Sequence, residues 1–347
     1  MENTHKHDTR YISLMSVVAC LAVVVLHTNG CFWHFSGTET YWKIANVIES
    51  VFYFAVPVFF MISGATLIDY SDRYSTKQFF IKRIRKTVLP FIVWSLIGIA
   101  FGCIVLKTIS LNDLGIKYVY NSIFNTSAVS VFWFFPVLFC VYLNLPLYAA
   151  VDKAKRLPVF SYIAVTGFLL NVLVPFFRGQ FFQEWSFPFS VAVASYPVIY
   201  PVIGYLLSHY DCARPWRKII YVSAAASLLA HIIGTYYLSM EAGSVVKTFK
   251  NLIVAVPYAS GIFLFFKTYG NKIMDTFVGS IVDYLKKYTF VIYLLHWFVM
   301  KLLLTLYPFN TKSLFYSLGM PFLIVPICMV FTFILRKIPM VKHIVPQ

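Results

Sequence analysis

From Tyr11 the chain runs through apolar residues almost without a break to Cys31, and runs of comparable length keep returning until Arg336. A helix needs roughly 20 such residues to cross the hydrocarbon core of a bilayer, where its backbone must satisfy its own hydrogen bonds. About ten candidate spans can be drawn, near 11–31, 46–69, 87–107, 130–150, 158–177, 190–208, 218–239, 249–267, 288–307 and 315–337. Pro57, Pro90, Pro136, Pro197, Pro201, Pro257 and Pro326 lie in or near them, which a bilayer tolerates because neighbouring helices re-satisfy the freed carbonyls. Composition agrees: 60% of residues are hydrophobic and 12% charged, where a soluble domain carries about 25% charged residues. The expectation is an all-α, polytopic membrane bundle. No linker divides it, so 1–347 is expected to form a single domain.

Charge gives the orientation. The net charge of +16 would suggest nucleic acid in a soluble chain. In a membrane chain it is the ordinary product of basic loops, which stay on the cytoplasmic side, so no nucleic-acid partner is expected. With an even number of spans both termini share one side. The larger part of the 29 Lys and Arg falls there, in clusters such as Arg73–Lys86, Lys153–Arg156 and Lys267–Lys287. Both termini are therefore expected in the cytoplasm of a multi-pass cell-membrane protein. The interruption at 108–129 is expected outside and the basic one at 268–287 inside. The first run is too long for a cleavable signal peptide and no small-residue cleavage site follows it. The six cysteines form no CxxC pair and show no metal-ligand spacing, so they read as packing residues and no metal is expected.

Ionisable side chains inside spans are costly and mark candidate sites. His27 ends the apolar stretch "VVVLHTN". About 17 residues into its span at 1.5 Å each, it lies in the outer half of the membrane. Glu49 opens the second span on the same side. If the two helices are neighbours, the carboxylate can fix the tautomer of the ring and raise its basicity, as a general base requires; otherwise Glu49 is an interfacial residue and His27 bonds a backbone carbonyl. His231 and His296 sit in later spans, where a lone His is more often a packing residue. In "FFIKRIRKTVLPFIVW" the cations Lys82, Arg83, Arg85 and Lys86 stand at the cytoplasmic mouth of the third span. They read equally as an anchor for anionic lipid or as a phosphate cradle, with Arg83 and Lys86 at i and i+3 on one helix face.

Several segments together resemble the membrane acyltransferase-3 family, whose members O-acylate surface polysaccharides and related envelope molecules. "VVACLAVVVLH" is similar to that family's opening helix with its terminal His, matched by His27. "VFYFAVPVFFMISGATLI" is similar to its second helix, with Phe59, Phe60, Ile62, Ser63 and Gly64. "KRIRKTVLPFIVW" is similar to its basic motif, matched by Arg83 and Pro90, with Lys86 in place of a second Arg. "VFWFFPVLFCVYLNLPL" is similar to its Trp-aromatic helix, with Trp133, Tyr142 and Pro146. "YPVIYPVIGYLL" and "FVIYLLHWFVM" match later helices carrying Gly204 and Tyr205, and Tyr293 and His296. The family often carries an Asp and an Arg upstream of the His; Ser13 and Ser16 stand at those positions here.

The resemblance implies a mechanism. Cytoplasmic acyl-CoA, usually acetyl-CoA, is the cosubstrate, held by Arg83, Arg85 and Lys86. His27, supported by Glu49, is the general base, and the acceptor is a glycan or other hydroxyl from the outer side. An oxyanion needs donors; Ser63, Trp133, Tyr205, Tyr293 and His296 are the substrate and oxyanion candidates. The rival expectation is a transport or binding domain for a small solute such as serine, as in the membrane part of vancomycin-resistance serine racemases, with His27 and Glu49 lining a path.

Overall fold

A computed structural model describes residues 9–181, 192–246 and 252–338, together with Ile344. The described residues are helical throughout, with turns and short 3-10 and π segments between helices and no strand. In chain order the helices are α1 (Arg10–Thr28), α2 (Thr40–Phe52), α3 (Ala55–Leu67), α4 (Thr76–Arg83), α5 (Leu89–Ile104), α6 (Ile116–Phe124), α7 (Phe134–Ala149), α8 (Lys153–Phe168), α9 (Val174–Phe181), α10 (Ile199–His209), α11 (Arg214–Ala242), α12 (Leu252–Met274), α13 (Phe277–Leu285), α14 (Thr289–Leu306) and α15 (Leu314–Arg336).

Nine runs among the described residues are long and apolar enough to cross a membrane. α2 and α3 join into one run, α4 and α5 into another, and α8 continues towards α9. The expected span at 190–208 differs from the rest. Its first residues and Pro188 lie outside the described residues, and what is described is α10, only 11 residues long. The basic segment expected as a loop at 268–287 is instead mostly helical. α12 runs on to Met274, and α13 follows with Phe277, Ile281 and Tyr284 exposed.

Local chemistry accounts for the helix ends. Ser75 and Gln78 form a reciprocal capping box at the start of α4, satisfying two backbone donors. The side chains of Asp152, Thr276 and Ser313 accept backbone N–H groups at the starts of α8, α13 and α15. α11 stops at Gly243, whose φ of +62° favours a residue without a Cβ.

α1 is the shaft of the bundle. It touches α2, α3, α12, α13, α14 and α15, which explains why it is apolar on every side. One face contributes Met15, Val17 and Ala22 to a core with α3, α7, α10 and α12; the other sends Cys20 and Val24 into a second core with α5, α14 and α15. The closest crossing is between α3 and α10. A Cβ on Gly64 would stand 1.9 Å from the Pro201 carbonyl oxygen, and one on Gly204 would stand 2.1 Å from that of Met61. Small residues that let backbones touch are how membrane helices gain packing energy without a hydrophobic drive.

A polar lock ties three elements at the basic end. Arg156 on α8 is 1% exposed. Its guanidinium bonds Asp69, in the turn after α3, and donates to the Tyr205 hydroxyl of α10 at 2.8 Å and to the carbonyls of Val151 and Ala149. His209 Nε2 meets the other Asp69 oxygen at 3.0 Å, and its ring stacks on Tyr205 with centres 3.9 Å apart. A buried guanidinium is tolerable only when its donors are answered this fully.

Candidate active site

A cavity of about 760 Å³ opens between the end of α1, the starts of α7, α10 and α12, the junction of α2 with α3, and α14. Its walls include His27, Glu49, Tyr53, Trp133, Tyr200 and Tyr293. His27 is the penultimate residue of α1, about 25 Å along the axis from Arg10 at 1.5 Å per residue.

The end of α1 is pinned on two sides. Thr28 donates to the Ser317 carbonyl of α15 at 2.7 Å, and the Asn29 amide donates to the Ala45 carbonyl of α2 at 2.8 Å. The same amide reaches Glu49 Oε2 at 3.4 Å. α1 and α2 are therefore neighbours, and their first contact across the loop brings His27 and Glu49 to one cavity. Glu49 is 5% exposed. His27 is partly exposed, to the cavity it lines. Beside it is His296 of α14, with ring centres 5.0 Å apart and planes tilted by 34°.

The predicted residues divide clearly. His27, Glu49, Trp133 and Tyr293 meet in the cavity wall, with His296 directly behind His27. Tyr293 donates its hydroxyl to the Val131 carbonyl at 2.6 Å, tying α14 to the start of α7. Ser63 and Tyr205 are set apart. The Ser63 hydroxyl donates to Phe59 one turn back, at 3.0 Å, and the Tyr205 hydroxyl is engaged by Arg156 at the basic end. Neither lines the cavity. His231 is buried on α11, packed edge-on to the cavity tyrosine Tyr53 with centres 5.0 Å apart.

The basic motif needs a correction of geometry. Residues 84–88 form a π-helical turn, whose i→i+5 bonding adds a residue to the turn. Arg83 and Lys86 therefore do not share a face as α-helical spacing predicts. Arg83 turns inward, half-buried, its guanidinium 5.7 Å from the ring centres of both Phe79 and Tyr142. Arg85 and Lys86 are exposed. None of the three lines the cavity. α7 connects the two places: Phe134 lines the cavity and Tyr142 lies under Arg83, about 12 Å further along the helix.

Other cavity residues were not singled out in the sequence. Tyr53 lies four residues after Glu49, so helical spacing pointed to it. Asn171, an isolated polar residue in an apolar run, met the same criterion as His27 and sits in a second π-helical turn, 169–173. Tyr196 and Tyr200 carried no such signal, because tyrosines are frequent in membrane helices at interfaces. Among the described residues no group of three or more His, Cys, Asp and Glu is placed to hold a metal ion.

A family model described as an acyltransferase domain matches residues 9–335, nearly the whole chain. No curated protein matches the chain, and no solved structure does. An all-helical, multi-pass membrane bundle with an imidazole at the end of its first helix, matched over that length, belongs to the membrane acyltransferase-3 family.

Proposed function

We propose that the protein is a membrane O-acyltransferase, moving an acyl group, usually acetyl, from cytoplasmic acyl-CoA to a hydroxyl of a cell-envelope acceptor. The observation that carries this reading is His27, the ionisable ring of the central helix, facing a cavity large enough for a ligand and lined with aromatic rings and a carboxylate. Pockets for organic ligands are mostly apolar with a few placed polar groups, and this cavity has that character.

In the proposed reaction His27 takes the proton of the acceptor hydroxyl as its oxygen attacks the thioester carbonyl. The new acyl–oxygen bond forms, the carbon–sulfur bond breaks, and the thiolate leaves with the proton from His27. General-base catalysis of this kind is worth about 10²–10⁴ in rate. Arg83 is the inward-facing cation of the motif and grips a phosphate of the nucleotide, as its planar fork suits; the exposed Arg85 and Lys86 add charge around it. The thioester arm then follows α7 from Tyr142 towards Phe134 and His27. That path requires the aromatic layer around Phe59, Phe60 and Phe134 to part, since the cavity walls stop short of the motif.

Purified protein in lipid is expected to bind acyl-CoA and to turn it over, by transfer or slow hydrolysis. His27→Ala is expected to remove turnover with binding kept, and Arg83→Ala to weaken binding, with the larger loss at low salt, where the contact is least screened. Purified protein that neither binds nor consumes acyl-CoA, but accumulates a small solute such as serine in vesicles, would establish the transport reading instead.

A further inference from the structure

The ring beside His27 on the neighbouring helix α14 is His296. His296 is 1% exposed. Its Nδ1 lies 2.7 Å from the Tyr293 carbonyl and 3.1 Å from that of Ile292. A carbonyl oxygen only accepts, so Nδ1 must carry the proton. A neutral imidazole has a single N–H, which leaves Nε2 as a lone-pair acceptor. That atom is buried and has no hydrogen-bond partner among the described residues. A buried acceptor in a membrane interior is costly unless something donates to it. The ring beside it is His27, 5.0 Å away centre to centre.

We propose that His296 is the positioning residue for His27: its Nε2 accepts the N–H of the His27 ring, which holds the other His27 nitrogen bare and turned to the cavity. A small rotation of the His27 ring within its partly open site makes the bond. The chain of donors runs from the His27 N–H to His296 Nε2, and from His296 Nδ1–H to the α14 backbone. Each ring keeps its own proton. The orienting partner is thus a neutral imidazole anchored to a helix, and Glu49, which receives the Asn29 amide, lines the cavity where the substrate would sit. In catalysis, which rests on the acyl-transfer reading above, the proton arriving from the acceptor lands on the bare nitrogen and leaves with the thiolate, while His296 holds its hydrogen bond throughout.

The test reads the ring nitrogens directly. Protein labelled with ¹⁵N-histidine is placed in lipid bilayers and examined by solid-state NMR, with the His27 and His296 signals identified by their loss in His27→Gln and in His296→Phe. In the unsubstituted protein His296 is expected to be protonated at Nδ1 alone, His27 to occupy one tautomer, and the His27 N–H to show a through-space contact to the bare His296 nitrogen. His296→Phe is expected to mix the His27 tautomers, and His296→Gln, whose amide oxygen accepts, to restore one. A His296 protonated at Nε2, or a His27 signal unchanged in His296→Phe, overturns the proposal. Should His296→Phe fail to fold, His296→Gln, which keeps a polar side chain at the site, supplies the same identification of the His296 signal. For acyl-CoA turnover, His296→Phe is expected to lower kcat at least about tenfold with KM for acyl-CoA unchanged, and His296→Gln to recover part of it. If the NMR pattern holds while no preparation consumes acyl-CoA, the acyl-transfer reading fails and the positioning of His27 stands.

Discussion

His27 owes its position to neighbours rather than to its own bonds. Thr28 and Asn29, the two residues after it, fasten the end of α1 to α15 and α2, so the imidazole projects from a fixed platform. Replacing Thr28 with Val removes the bond to Ser317 and is expected to lower acyl-CoA turnover about tenfold while leaving the ring present, since a misplaced base loses rate steeply; single-turnover kinetics would show it. Glu49→Gln keeps the shape of the cavity and the reach to Asn29 but removes the charge. A fall in kcat without a fall in thermal stability is expected, and unchanged kcat would make Glu49 a packing residue. At this scale a residue out of place in an apolar run marks itself in the sequence, as His27 and Glu49 do and as the overlooked Asn171 does. It was not readable where direction decides. Ser63 and Tyr205 are donors of the right type, yet each is turned to a partner of its own, a carbonyl one turn back or a guanidinium on another helix.

At the scale of helices, the π-helical turns and one close crossing shape the bundle. The π-helical turn at 84–88 separates Arg83 from Arg85 and Lys86, and nothing in the residue types Ile, Arg, Lys, Thr and Val announces an extra residue in the turn. In the sequence Gly64 and Gly204 are marked only as positions of two family motifs; that they face each other where α3 crosses α10 is steric and visible only in three dimensions. Adding a Cβ at either place meets backbone rather than a pliable side chain. Gly204→Ala is therefore expected to destabilise by about 1–3 kcal/mol or more, as overpacking does, read as a lower unfolding temperature in detergent. Arg156→Leu leaves Asp69 without its guanidinium, though still facing His209. Removing one partner of a buried ion pair costs about 3–5 kcal/mol. Asp69 is a quarter exposed, so about 3 kcal/mol is expected here by the same measurement.

Over the whole molecule, hydropathy alone located most of the spans, because a bilayer imposes length and apolarity on every helix that crosses it. The segment at 190–208 was harder to read, since α10 covers only part of it and is supported by α3, α8 and α12 rather than by its own length. The charge bias predicts which ends face the cytoplasm, and labelling checks it. A cysteine at Ser110, in the turn before α6, is expected to react with a membrane-impermeant maleimide added outside cells. One at Lys77, in α4, is expected to react only after permeabilisation.

The backbone contact between α3 and α10 has a mechanical consequence. Two helices that touch main chain to main chain leave no side-chain layer to slide on, so they travel as one lever. Its handle is the clasp of Asp69, Arg156 and His209 at the basic end, and its blade is the pair Tyr196 and Tyr200. A movement that springs the clasp is passed along α10 from His209 to Tyr200, about 14 Å away at 1.5 Å per residue, where the cavity begins.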